Sequence, residues 1–197
     1  MTHRGLWKVL IIEDDRIDRE IYKGDLYVEP TDLNQLVRDA CDSLRASIPK
    51  SIRLDIPAGR ELPPVTTDSR QMRQVIVDLV MNAVEAIPED AAGTISVRTR
   101  PMEVGAGSTA LVTAGRYVVL EVRDSGRGMK EETQKRIFDP FFTTKFLGRG
   151  LGLAAVHGFV RSNGGDIQVD SKPGKGACFR IFLPAMHHEA ESRRVAC

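Results

Sequence analysis

The stretch that most constrains this chain covers residues 118–153. An apolar strand (Val118, Val119, Leu120, Val122) ends in Asp124-Ser125-Gly126-Arg127-Gly128-Met129; then come Phe138-Asp139-Pro140-Phe141-Phe142-Thr143-Thr144-Lys145 and Gly148-Arg149-Gly150-Leu151-Gly152-Leu153. A carboxylate at a strand end, glycines just beyond it and a second glycine cluster opening a helix form the layout a nucleotide pocket needs. Asp124 can accept a hydrogen bond from an exocyclic amine, and Gly126 and Gly128 let backbone approach a flat base with no Cβ in the way. Around Gly148, Gly150 and Gly152, bare N–H groups and a helix N-terminus can face phosphates.

A length of 197 residues suffices for one well-buried core and a small appendage. The 28 basic and 27 acidic residues nearly cancel, so no global field argues for nucleic acid or an anionic membrane. Apolar runs such as residues 7–12 fall far short of a bilayer span, and Met1-Thr2-His3-Arg4 is not followed by the apolar stretch of a signal peptide. Cys41, Cys178 and Cys197 share no metal-ligand spacing and leave an odd one, so a reduced, cytoplasmic compartment is expected.

Helical spacing of Leu33, Leu36, Val37, Ala40 and Leu44 predicts a helix over 32–46, with Thr31 or Asp32 as N-cap. Ile52, Leu54 and Ile56 alternate as a strand, 57–67 reads as a loop, and 68–87 as a long helix stopped by Pro88. Strands follow over 94–99 and 117–124, joined by a loose connection over 101–115. Helices are expected over 130–138 and 152–162, the latter closed by Gly164-Gly165, and a final hairpin over 166–171 and 178–183. Strands and helices are segregated, which predicts an α+β, two-layer sandwich.

Asp78-Leu79-Val80-Met81-Asn82-Ala83-Val84-Glu85-Ala86 lies upstream of this stretch and Gly174-Lys175-Gly176-Ala177-Cys178-Phe179 downstream. With them, the chain resembles the catalytic, ATP-binding domain of sensor histidine kinases, within the gyrase, Hsp90, histidine kinase and MutL ATPase superfamily. The segments look like that family's N, G1, F, G2 and G3 boxes, in order. The resemblance implies a Bergerat-type fold over 28–185, a mixed sheet with helices on one face and ATP held between helices and a lid. It also implies Mg2+ on Asn82, adenine on Asp124, and a nucleotide site drawn from Asn82, Ala86, Asp124, Gly126, Gly128, Met129, Phe142, Thr143, Thr144, Lys145, Gly148, Arg149, Gly150, Leu151, Gly152, Leu153, Gly176 and Ala177. The expected activity is donation of the γ-phosphate to a histidine on a separate dimerisation and phosphoacceptor hairpin, upstream of a response-regulator receiver domain. Neither nucleic acid nor membrane is expected as a partner of this segment, and the isolated chain is expected to be a monomer.

Several residues carry a plainer reading beside the functional one. Asp78 shares a helix face with Asn82 and could reach the same ion, act as the base of a self-sufficient ATPase, or be a surface acid. Glu85 reads as a surface partner. The Phe138, Phe141 and Phe142 set could simply anchor a lid, and Lys145 and Arg149 could be solvated. Ala177 stands where the family commonly has Thr or Ser, so one polar contact near adenine is expected to be missing. Gly105-Ala106-Gly107-Ser108-Thr109-Ala110 mimics a dinucleotide fingerprint without its strand–turn–helix setting. Residues 8–15, Lys8-Val9-Leu10-Ile11-Ile12-Glu13-Asp14-Asp15, resemble the first strand of a receiver domain; 1–27 are read as a receiver fragment, a fusion product or a coincidence, and 186–197 as a tail. None of the four histidines sits in a phosphoacceptor pattern, so the chain is not expected to label itself. A regulatory module that binds nucleotide without catalysis is the rival reading.

Overall fold

The computed structural model describes residues 27–57, 60–105, 112–144 and 150–186. The receiver-like segment, the tail from 187 onward, and Lys145, Gly148 and Arg149 lie outside them. Two sheets are present among the described residues. Strands β1 (Val28–Thr31) and β3 (Val65–Asp68) pair antiparallel as a ribbon; β2 (Ile52–Asp55), β4 (Gly93–Val104), β5 (Gly115–Asp124), β6 (Asp166–Ser171) and β7 (Ala177–Pro184) form the main sheet in the order β2-β4-β5-β7-β6. Only β2 runs parallel to its neighbour, so the sheet is mixed, as expected.

Helices α1 (Leu33–Leu44), α2 (Ser69–Ala86) and α4 (Gly152–Ser162) cover one face. Strand alternation decides which side chains they meet: Val118, Leu120 and Val122 point to the helices, Tyr117 and Val119 to the other face. Met72, Val75, Ile76, Leu79, Val80 and Ala83 recur at three- and four-residue spacing and are all buried. Each large apolar side chain so buried contributes roughly 1.5–3 kcal/mol, which fixes the rotation of α2 about its axis. That rotation leaves Asn82, Glu85 and Ala86 on a different stripe. Asp32 and Asp68 start α1 and α2 as N-caps, each accepting two backbone N–H bonds through Oδ1.

Three segments differ from the sequence expectation. Residues 65–68 are a strand, not loop, because Val65, Thr67 and Asp68 are buried beside β1. Strand β4 runs on through Pro101 to Val104; β2 ends opposite Ser96, so beyond it one edge of β4 has no strand partner among the described residues and a residue lacking an N–H is tolerated. The helix expected over 130–138 is only α3 (Glu131–Gln134), followed by three-residue turns with Arg136 N–H on Thr133 O and Asp139 N–H on Arg136 O. Lys130 brings no side-chain cap to it, and Pro140 disfavours helical backbone at Asp139. Among the described residues, no helix is long and apolar enough to cross a membrane.

Candidate nucleotide site

A cavity of about 340 Å³ opens between the C-terminal half of α2, the segment after β5, α3, the start of α4 and β7. It falls in the size range of small-molecule sites. Asn82, Ala86, Asp124, Gly128, Met129, Phe142, Thr143, Thr144, Gly150, Leu151, Gly152, Leu153 and Ala177 all line it, so motifs far apart in sequence, from residue 82 to residue 177, meet around one cavity.

Asp124 anchors one end. It is 6% exposed, and its Oδ1 accepts N–H bonds from Gly126 at 2.7 Å and Ala177 at 3.3 Å. Both bonds land on Oδ1, and Asp124 lines the cavity. Burial pushes the Asp124 carboxyl above the usual carboxylate range, against the lowering effect of those N–H bonds. Gly126 and Gly176 are not part of the lining surface; they set its shape. A Cβ at Gly126 would lie 2.5 Å from the Ala86 carbonyl, and one at Gly176, whose φ is +71°, would lie 2.0 Å from that of Asp124. Only glycine fits either approach.

The opposite end is made by Phe142–Thr144 and 150–153. Phe141 holds a left-handed φ of +68°, donates its N–H to Gly150 O at 2.9 Å and is 62% exposed. The Arg136 guanidinium lies 4.4 Å from the centre of the Phe142 ring, and Phe138 stacks on His157 of α4 at 5.0 Å. Among the described residues no side chain caps the start of α4, where first-turn N–H groups can face an anion.

Asp78 is not among the lining residues. It accepts a 2.7 Å bond from Gln74 Nε2, and burial raises its pKa while that bond opposes the rise. Glu85, read from the sequence as a surface partner, lines the cavity, as do Arg127, Thr133, Ile137 and Phe179, which sequence reasoning did not single out. Periodicity held part of that signal: Glu85 follows Asn82 by three on a helix, and Phe179 follows Ala177 by two on a strand.

A family model for histidine kinase-, DNA gyrase B- and HSP90-like ATPases matches residues 67–187, and the chain belongs to that family. Among its relatives is the sensor kinase CckA of Brucella abortus (strain 2308), 41% identical over an alignment of 168 residues that covers 82% of this chain and 17% of the relative. Sensor histidine kinase ZraS of Escherichia coli (strain K12) is 36% identical over an alignment of 187 residues that covers 91% of this chain and 37% of the relative. The chain thus spans well under half the length of either. The solved catalytic domain of histidine kinase ThkA superposes with a TM-score of 0.66 at 29% identity, covering 80% of this chain and 95% of that one. Full-length ShkA, solved in complex with AMPPNP, superposes with a TM-score of 0.68 at 25% identity, over 83% of this chain and 32% of that one. The α+β sandwich with a mixed sheet is that of histidine kinase catalytic domains. Neither the family match nor these relatives bear on the receiver-like reading of 1–27.

Proposed function

We propose that the segment 28–185 binds Mg-ATP and presents its γ-phosphate to a histidine on a separate helical hairpin, as the catalytic half of a two-component sensor kinase. The observation that carries this reading is the arrangement of one cavity: a buried carboxylate with one oxygen pinned by two N–H groups stands at one end, and the uncapped N-terminus of α4 at the other. Asp124 Oδ2 would accept from the adenine amine, with Ala86 and Met129 beside the base. Thr143, Thr144 and the first turn of α4 would meet the phosphates.

Among the described residues no group of three or more His, Cys, Asp or Glu side chains could cage a metal ion. That fits magnesium, which takes few protein ligands and arrives with phosphate oxygens and water. The Asn82 amide oxygen would hold it, and the ion would supply charge neutralisation on the phosphates. The chain's own part is positioning, since phosphoryl transfer leaves side chains little covalent chemistry. Mixing the chain with labelled ATP and a cognate phosphoacceptor hairpin tests the proposal: label should pass to the hairpin histidine and never to the chain itself. Tight nucleotide binding with no transfer to any cognate hairpin would favour a regulatory module; rapid turnover without a hairpin, lost in Asp78→Asn, would favour an ATPase.

A further inference from the structure

Two side chains outside the cavity wall hold one of its residues by the backbone. Ser171, buried at the end of β6, accepts the Met129 N–H on Oγ at 2.9 Å and donates the same hydroxyl to the Gly176 carbonyl at 2.7 Å. Gln134, the last residue of α3, donates from Nε2 to the Ser171 carbonyl at 2.9 Å and to the Met129 carbonyl at 3.2 Å. Both backbone groups of Met129 are therefore gripped from elsewhere in the fold. The other end of the same network reaches Asp124, because Gly176 packs on the Asp124 carbonyl and the next N–H, that of Ala177, lands on its Oδ1.

We propose that Ser171 and Gln134 are positioning residues for the adenine end of the cavity, fixing the separation between Met129 and the Asp124 carboxylate without touching the nucleotide. The inference rests on the nucleotide-binding reading above. Residues 125–130 contain no helix or strand. Their first half is tied to α2 and to the β6–β7 turn, through Arg127 N–H on Ala86 O at 2.9 Å, Arg127 Nη2 on Glu85 O at 2.5 Å and Gly174 N–H on Arg127 O at 2.7 Å. Those ties stop two residues short of Met129, and the Ser171–Gln134 brace takes over there. A flat base needs its two contacts at a fixed spacing, so loosening the brace should weaken recognition of the nucleoside and leave the phosphate end as it was.

Ser171→Ala, Ser171→Thr and Gln134→Glu test this in the full chain. Gln134→Glu keeps size while replacing the donating amide by an acceptor that faces two carbonyls, and Ser171→Thr keeps the hydroxyl. Without nucleotide, the Met129 amide should exchange faster in Ser171→Ala and Gln134→Glu. Affinities for ATP, ADP and AMP should fall by the same factor, about fivefold, with or without magnesium. Ser171→Thr should restore both readouts. Unchanged Met129 exchange, a loss confined to ATP, or equal impairment of the Ala and Thr variants would overturn the brace. A wild-type chain that binds no adenine nucleotide overturns the parent reading; a wild type that binds, with a Ser171→Ala chain that binds equally well, overturns this one alone.

Discussion

At the Asp124 end of the cavity the glycines are crowded, with virtual Cβ atoms 2.0–2.5 Å from the backbone carbonyls of Lys172, Ala86 and Asp124 for Gly128, Gly126 and Gly176 respectively. At the far end, Gly152 meets nothing within 4 Å, and Thr143 and Thr144 are exposed. Among the described glycines there, Gly150 is the crowded one, against Phe141 and Phe142. The first region is shaped by backbone packed on backbone and is complete without a ligand. The second, among the described residues, has no side-chain cap on α4, and a side chain at Gly152 would meet nothing within 4 Å. A rigid end that recognises the base and an open end that admits the triphosphate would need these two constructions.

The largest expected effect breaks that contrast directly. Gly126→Ala must push the turn away from α2; overpacking of this kind costs about 1–3 kcal/mol, and the displaced Asp124 should lose nucleotide binding as well. Gly152→Ala should leave Tm unchanged or raise it, since alanine is the better helix former by about 0.5–1 kcal/mol, while weakening ATP more than AMP. Thermal unfolding and calorimetry on the pair check this. Equal loss of Tm in both would erase the distinction between the two ends.

Asn82→Ala should come next. It should abolish the magnesium-dependent part of ATP affinity, on the order of tenfold, and leave magnesium-free AMP binding intact. Titrations with and without magnesium would expose a base-side role for Asn82 if AMP suffered too. Ala177→Ser is a smaller change with the opposite sign: a hydroxyl beside Asp124 adds one hydrogen bond and should tighten ADP several-fold.

The smallest effect belongs to the contact between Phe138 and α4. Burial lowers the pKa of His157, with Asp166 pulling it up and Arg161 pushing it down. A lowered folded-state value means that folding favours the neutral ring; this stability is present above the usual histidine pKa and is lost as pH falls through the folded value. His157→Phe should keep the stack on Phe138 and flatten the stability profile below about pH 6.5. An unchanged acid limb in that variant would assign the acid sensitivity to other groups.

Much of this was legible because the informative residues are conspicuous locally. Asp124 at a strand end, Asn82 on α2 and the paired glycines stand out without tertiary context, and the structure brings Asp124, Asn82 and Gly128 to one cavity; the long apolar stripe of α2 fixes its own orientation. The ribbon of β1 and β3 was hidden: Pro30 and the short run at 65–68 carry no alternating apolar pattern, and the two are recognisable as strands only from their pairing, with Val65 and Thr67 buried in the fold. The extension of β4 through Pro101 was hidden for a related reason, since a proline is excluded from a strand only when both edges are paired. Glu85 was legible by spacing but ambiguous in meaning, and Ser171 and Gln134 were invisible because their role is to bond backbone far away in sequence.

Asp124 is the point on which the account turns, and isothermal calorimetry with Asp124→Asn tests it most directly. Asparagine can keep the Oδ1 bonds to Gly126 and Ala177 but places an amide donor where adenine needs an acceptor. ATP, ADP and AMP should all lose about 2–3 kcal/mol of affinity, from a starting value in the micromolar range. Stability should move the other way. A carboxyl whose folded-state pKa is raised by burial favours the fold when protonated, and that contribution is lost as pH rises through the raised value, so at pH 7 the ionised group is a cost to the nucleotide-free protein. Asp124→Asn should therefore melt higher than wild type near pH 7, with the advantage vanishing toward about pH 4. Equal nucleotide affinity in the two proteins would contradict the assignment of Asp124 as the adenine acceptor, and with it the proposed site.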